Sequence, residues 1–260
     1  MKLYTKESLI KEFLKIAQMG WIENARHGNA GGVGNTLEDL LGIEENNLPI
    51  PNAAEWELKA QRLNTSALIT LFHTEPSPRA VKFVPQLLLP CYGWKHEKAG
   101  VKYPETEKSF RQTFGGKHTN RGFFLKVDRT NKKVIVSFDY NKVSQEHKEW
   151  LLQVQKNVGL ADLYPQPYWG FDDLASKAGT KLLNCFYVQA EVKKENGTEF
   201  YRYCKVLMLQ KFSFEKFLEE IENDNVLADF DARTGHNHGT KFRLRQNGFP
   251  NLYEKATIIL

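Results

Sequence analysis

The most constraining feature of the chain is a pair of long alternating segments, Asn184–Lys193 and Glu199–Leu209, joined by Glu195-Asn-Gly-Thr198. Period-two alternation marks strands with one face buried, and Asn-Gly is the strongest short signal for a two-residue hairpin turn. A second alternating pair, Phe123–Asp128 and Lys133–Asp139, meets at Arg129-Thr-Asn-Lys132 and predicts another hairpin. Ser66–Phe72 and Ala256–Leu260 read as further apolar strands. Helical spacing covers other stretches. Thr5 can cap a helix over 6–19, where Leu9, Ile10, Phe13, Leu14 and Ala17 recur every three or four residues before Gly20. Thr36-Leu-Glu-Asp39 reads as a capping box opening a helix through Leu41. Ser144–Asn157 and Ser213–Asn223 are amphipathic, the first with Trp150, Leu151 and Val154 inward. Tyr164–Phe171 reads as an aromatic, proline-bearing loop. With no repeat and no linker, the chain predicts one α+β domain whose mixed central sheet is flanked by helices.

Residues 95–121 fit this pattern least. Basic side chains outnumber acidic ones there, Gly115-Gly116 interrupts the stretch, and apolar residues are few. It reads as a mobile surface arm, with a nucleic-acid clamp as the alternative. The net charge of +5 makes an anionic partner plausible without demanding one. Cys91, Cys185 and Cys204 lie far apart with no CxxC spacing, which argues against zinc and disulfides and for a reducing, cytoplasmic setting. No signal peptide leads the chain, and no apolar run nears the roughly 18 residues of a membrane span.

Two polar constellations carry candidate chemistry. In Asn52-Ala-Ala-Glu-Trp-Glu-Leu-Lys59, strand alternation puts Glu55, Glu57 and Lys59 on one face and Trp56 and Leu58 on the other. The row could be a solvated edge. It could equally hold a hard divalent cation, with the lysine beside an attacking water or a leaving phosphate. Glu38, in the preceding helix, is another carboxylate available to such a site. Between them, Arg26–Asn35 is rich in glycine and could approach a phosphate backbone, but it lacks the lysine and spacing of a nucleotide-binding P-loop. The second constellation runs from Asp229 to Arg245 and holds Asp231, Arg233, His236, His238, Lys241 and Arg243. His236-Asn-His238 has no third ligand nearby to make a metal site. Arginine, aspartate and histidine interspersed suit base-edge readout better than a uniform phosphate grip.

With both clusters in view the chain resembles the MvaI/BcnI family of type II restriction endonucleases, relatives of the mismatch-repair nickase MutH. The resemblance rests on Gly20-Trp21, Gly28-Asn29, Thr36-Leu-Glu-Asp-Leu-Leu41, Pro51-Asn52, Glu57-Leu-Lys59, Pro78-Arg79, Tyr92-Gly93, Tyr168-Trp-x-Phe-Asp172 and His236-Asn-His-Gly-Thr-x-Phe-Arg243. It implies a restriction-endonuclease-like, MutH-like PD-(D/E)xK fold. It also implies Mg2+ dependence with Mn2+ as a substitute, and monomeric action on double-stranded DNA at a short GC-rich pseudosymmetric site. A cognate DNA methyltransferase in a prokaryotic cytoplasm would be the partner. Residue by residue, Glu38, Glu57 and Lys59 match catalytic positions, and Asn52, Glu57 and the Leu58 carbonyl match metal ligands. His73, Arg79, Asp231, Arg233, His236, His238 and Arg243 match DNA-facing positions. A catalytic lobe of roughly 1–160 and a recognition lobe of roughly 161–260 would follow.

One position departs from the pattern. The family's metal-binding aspartate falls on Asn52, which offers a neutral oxygen and no charge. Glu55 could supply the missing carboxylate. Asn52 could suffice with Glu38 assisting. Or the substitution could mark an inactivated form, leaving a sequence-specific DNA-binding protein. A MutH-like nickase is a further alternative.

Overall fold

The computed structural model describes residues 4–24, 32–43 and 56–260. Its helices are α1 (Lys6–Gln18), α2 (Gly32–Leu41), α3 (Leu89–Tyr92), α4 (Lys148–Val158), α5 (Phe171–Leu182) and α6 (Phe214–Glu222). The first strands are β1 (Ile22–Glu23), β2 (Glu57–Arg62), β3 (Ile69–His73), β4 (Trp94–Lys95), β5 (Lys108–Phe114), β6 (Arg121–Asp128) and β7 (Lys133–Val143). The remainder are β8 (Tyr168–Gly170), β9 (Asn184–Glu195), β10 (Thr198–Phe212), β11 (Val226–Arg233), β12 (His236–Asn237), β13 (Lys241–Leu244) and β14 (Tyr253–Ile258). No helix among the described residues is long and apolar enough to cross a membrane.

Two compact units are assembled from separated stretches of chain: 1–69, 177–216 and 245–260 in the first, 70–176 and 217–244 in the second. Residue 160, the expected border between lobes, lies inside the second unit. The α+β class with a mixed sheet flanked by helices holds, and the described strands fall into three sheets.

The first unit contains the sheet β1-β10-β9-β2, with β14 also paired to β10. The β9–β10 hairpin turns at Asn196 (φ 49°) and Gly197 (φ 84°), as Asn-Gly predicts for a turn needing positive φ at both positions. β2 runs parallel to β9, with Glu57 opposite Cys185 and Arg62 opposite Ala190, so the sheet is mixed. Thr5 caps α1 as expected: its hydroxyl accepts from Ser8 N at 3.2 Å, and Ser8 Oγ accepts from Thr5 N at 2.8 Å. Leu9, Phe13 and Ile16 of α1 join Val33 and Leu37 of α2, Leu58 of β2 and Phe186 and Val188 of β9 in one core. Each such side chain contributes about 1.5–3 kcal/mol by leaving water.

Helix α2 starts at Gly32, four residues before the expected cap, so Thr36 is a buried helical residue and not an N-cap. Glycine is required at position 32 because it lies against the side chains of Tyr201 and Asn24, where a Cβ would collide. Residues 26–31 of the glycine-rich stretch lie outside the described residues.

The second unit holds a six-stranded sheet of order β3-β13-β11-β5-β4, with β12 on β11, and a three-stranded sheet β6-β7-β8. Residues 95–121 are not an arm. β5 is an interior strand between β11 and β4, and Phe110 and Phe114 are buried in an aromatic core with Phe123 and Phe230. The alternation Phe110-x-Gln112-x-Phe114 turns one face inward, while Arg111 and Thr113 between them leave on the other. The 164–171 loop contains β8 and leads into α5, a helix absent from the sequence reading.

Candidate active site

In the first unit the candidate residues converge on β2. Glu57 is 3% exposed, and its Oε1 accepts an ion pair from Lys59 Nζ at 2.7 Å. Its other oxygen, Oε2, is buried and has no hydrogen-bond partner among the described residues. Trp56 and Leu58 point oppositely, into the core with Phe186, as alternation predicts. β2 is the end strand of its sheet among the described residues, yet its side chains are largely buried, unlike the solvated edge that the charge row also allowed.

Apart from Lys59, two buried neighbours of Glu57 are held in their neutral form. Burial pushes the Cys185 thiol, directly across on β9, well above its usual value, and burial does the same to the Tyr253 hydroxyl. Further along the same face, Tyr187 donates to Gln61 Oε1 at 2.9 Å and accepts from Gln189 Nε2 at 3.3 Å. This buried ladder fixes β2 to β9 beside the ion pair. α2 packs on β2 and carries Glu38 half-buried. Asn52 and Glu55 lie outside the described residues. Among the described residues there is no group of three or more His, Cys, Asp or Glu able to hold a metal.

In the second unit, antiparallel register puts Ala228, Phe230 and Phe242 on the core face of the six-stranded sheet, and Asp229, Asp231, Arg233, Lys241 and Arg243 on the other. Arg233 donates to the buried Glu107 at 3.0 Å and lies over the Tyr103 ring at 4.7 Å. Arg243 donates at 3.3 Å to Asp229, which also accepts from Thr113 Oγ1 at 2.7 Å. The rings of His236 and His238 are exposed, with centroids 4.3 Å apart and planes nearly perpendicular. His73 is exposed at the end of β3, and Arg79 is exposed where a short helical turn begins. Glu75 accepts from Thr240 N at 2.8 Å and Oγ1 at 3.0 Å, holding the loop that follows His238. A cleft of about 600 Å³ lies beside this segment, lined by Pro85, Leu89, Arg233, His236 and Asn237 among others.

The model of the MvaI/BcnI restriction endonuclease family matches residues 10–253. The chain belongs to this family. As a family member it is a type II, site-specific restriction endonuclease. Among solved structures it is similar to one described as restriction endonuclease MvaI–cognate DNA substrate complex, at 24% identity and a TM-score of 0.76, over 99% of this chain and 100% of that one. It is also similar to MvaI in the absence of DNA, at 24% identity and a TM-score of 0.56, over 100% of both chains. At that identity the likeness is one of fold. No curated protein matches.

Within this MvaI/BcnI member, the described catalytic and metal candidates Glu38, Glu57, Leu58 and Lys59 fall in the first unit and every DNA-facing candidate in the second. The sequence reading missed Glu107, Arg111 and Thr113, which share the polar face with the predicted residues. The signal was the Phe110–Phe114 alternation. It also missed Gln61, Tyr187 and Gln189, whose roles come from strand register alone.

Proposed function

We propose that this endonuclease hydrolyses phosphodiester bonds of double-stranded DNA with Mg2+, at a short, GC-rich, pseudosymmetric site. The observation that carries the reading is Glu57: a buried carboxylate with one oxygen on Lys59 and the other without a partner among the described residues. Buried polar atoms are almost always satisfied, so an orphaned carboxylate oxygen suits a ligand that arrives from outside. An oxygen donor of this kind fits a hard cation such as Mg2+, with Mn2+ as a substitute. The Leu58 carbonyl and either Asn52 or Glu55 would complete the donor set, and Glu38 would support it from α2.

Bound there, the cation would acidify a water and neutralise charge on the scissile phosphate. The chain's own contribution is positional. Glu57 Oε1 fixes the Lys59 ammonium, so that Nζ can orient the attacking water or exchange a proton with it. Trp56 and Leu58, locked in the core, hold the strand that carries both groups. In the second unit, Asp231, His236, His238 and the two arginines offer donors and acceptors to base edges, with His73 and Arg79 at its exposed ends. We further propose that the enzyme acts as a monomer beside a cognate methyltransferase.

A supercoiled plasmid incubated with the protein and Mg2+ should yield discrete linear fragments. An intact plasmid with every divalent cation tried would reject catalysis, and stable open circles would make the enzyme a nickase. Digesting a known genome and sequencing the ends gives the site. Asn52 favours a second reading, in which a less charged site binds metal weakly and the protein binds DNA better than it cuts. Asn52→Asp separates the two: a large gain in cleavage at low Mg2+ marks Asn52 as limiting, and an unchanged rate marks it as sufficient.

A further inference from the structure

The polar face of the six-stranded sheet carries three arginines in unlike states. Arg233 and Arg243 are each committed to a carboxylate that is 10% exposed or less, Glu107 and Asp229 respectively. Arg111, on β5, is not. Its side chain is 74% exposed, and its nearest carboxylate, on Asp231 directly opposite on β11, is 3.8 Å from Nε, beyond hydrogen-bond range. No other hydrogen bond or ion pair engages Arg111 among the described residues.

We propose that Arg111 is a specificity-determining residue that reads a guanine, working as a couple with Asp231. This rests on the reading of the chain as a DNA-cleaving enzyme and extends it to a residue on a strand the sequence hides. The pair chooses between two roles for an exposed arginine. A phosphate brought to Arg111 would also meet the Asp231 carboxylate, and the like charges would repel. A G·C pair meets no such conflict. Guanine N7 and O6 accept from the arginine fork, and cytosine N4 donates to a carboxylate. Asp231 lies nearest Nε, so the two terminal amino groups of the exposed side chain remain for a bidentate contact. Opposed residues on neighbouring antiparallel strands keep their side chains roughly 5 Å apart, so the two act on one base pair or on adjacent ones.

The test is a selection from a duplex library with a randomised window, run with Ca2+ and separately with EDTA, on the wild type, Arg111→Ala, Arg111→Lys and Asp231→Asn. The wild type should enrich one motif. Arg111→Ala should enrich the same motif with the preference at one G·C pair reduced by roughly tenfold to a hundredfold, and Arg111→Lys should not restore it. Asp231→Asn should weaken the same pair or its neighbour. Thermal melting should show the Arg111 variants folded, because the side chain is exposed. An unchanged motif in Arg111→Ala, or equal weakening on every sequence, overturns the proposal and makes Arg111 a bystander or a phosphate contact. A wild type that enriches no sequence overturns the restriction reading itself, and this proposal with it.

Discussion

Leaving a buried polar atom unsatisfied costs about 1–3 kcal/mol, and more if it is charged, so Glu57 Oε2 is retained against a stability cost. Lys59 offsets part of that cost and is also the proposed proton carrier. Lys59→Ala should therefore do two things: slow cleavage by about 10²–10⁴-fold, and destabilise the metal-free protein by about 3–5 kcal/mol by leaving a buried charge uncompensated. Denaturant melts beside single-turnover cleavage read both, and an active, equally stable variant would refute the pairing. Glu57→Gln keeps the shape and loses the charge. Mg2+ should raise the wild-type Tm but not that of Glu57→Gln; an equal rise in both would remove Glu57 from the metal site. Arg233 is similarly double in role. Because it pairs with the buried Glu107, Arg233→Ala should cost about 1–3 kcal/mol of stability besides any loss in DNA discrimination. A variant with wild-type stability would show that Glu107 does not depend on it.

At the scale of elements, β5 is the informative case. The surrounding stretch 95–121 is rich in charge, so composition masks a two-residue period in β5 whose apolar positions are Phe110 and Phe114. If residues 95–121 were a surface arm, Phe110→Ala would be nearly silent. As an interior strand in contact with Trp94, Phe123 and Phe230, the change should cost about 3–5 kcal/mol. Equilibrium unfolding distinguishes these outcomes. The β9–β10 hairpin was legible because its signals agree: alternation on both arms, and Asn-Gly at a turn that needs positive φ. α2 was legible only in part. Thr36-Leu-Glu-Asp39 looks like a capping box in sequence, whereas the helix already includes Gly32, which is required by the proximity of Tyr201, a partner far away in sequence. α5 followed a loop rich in proline and aromatics and left no comparable mark.

For the molecule as a whole, burial of phenolic hydroxyls sets an alkaline limit. Burial pushes Tyr92 and Tyr187 up to about 12, from an ordinary value near 10. A raised folded pKa means that the unfolded chain gives up its protons first as pH rises. The stabilisation is therefore complete below pH 10 and is lost between roughly 10 and 12. Urea midpoints measured from pH 8 to 12 should fall mainly above 10, and Tyr92→Phe should flatten part of that fall; a flat profile would contradict it.

The sequence by itself determined the α+β class, the two hairpins, the α1 cap and the Glu57-Leu-Lys59 alternation, because each depends on residues near one another in the chain. It also named the family through the order of its motifs. Tertiary structure alone decided that Glu57 is buried with one oxygen unpartnered, since that needs β9 alongside β2. It likewise decided that Arg111 stands opposite Asp231 while Arg233 and Arg243 are held by carboxylates. Strand register creates those pairings, between segments more than a hundred residues apart for all but Arg243 and Asp229, and no local period encodes it.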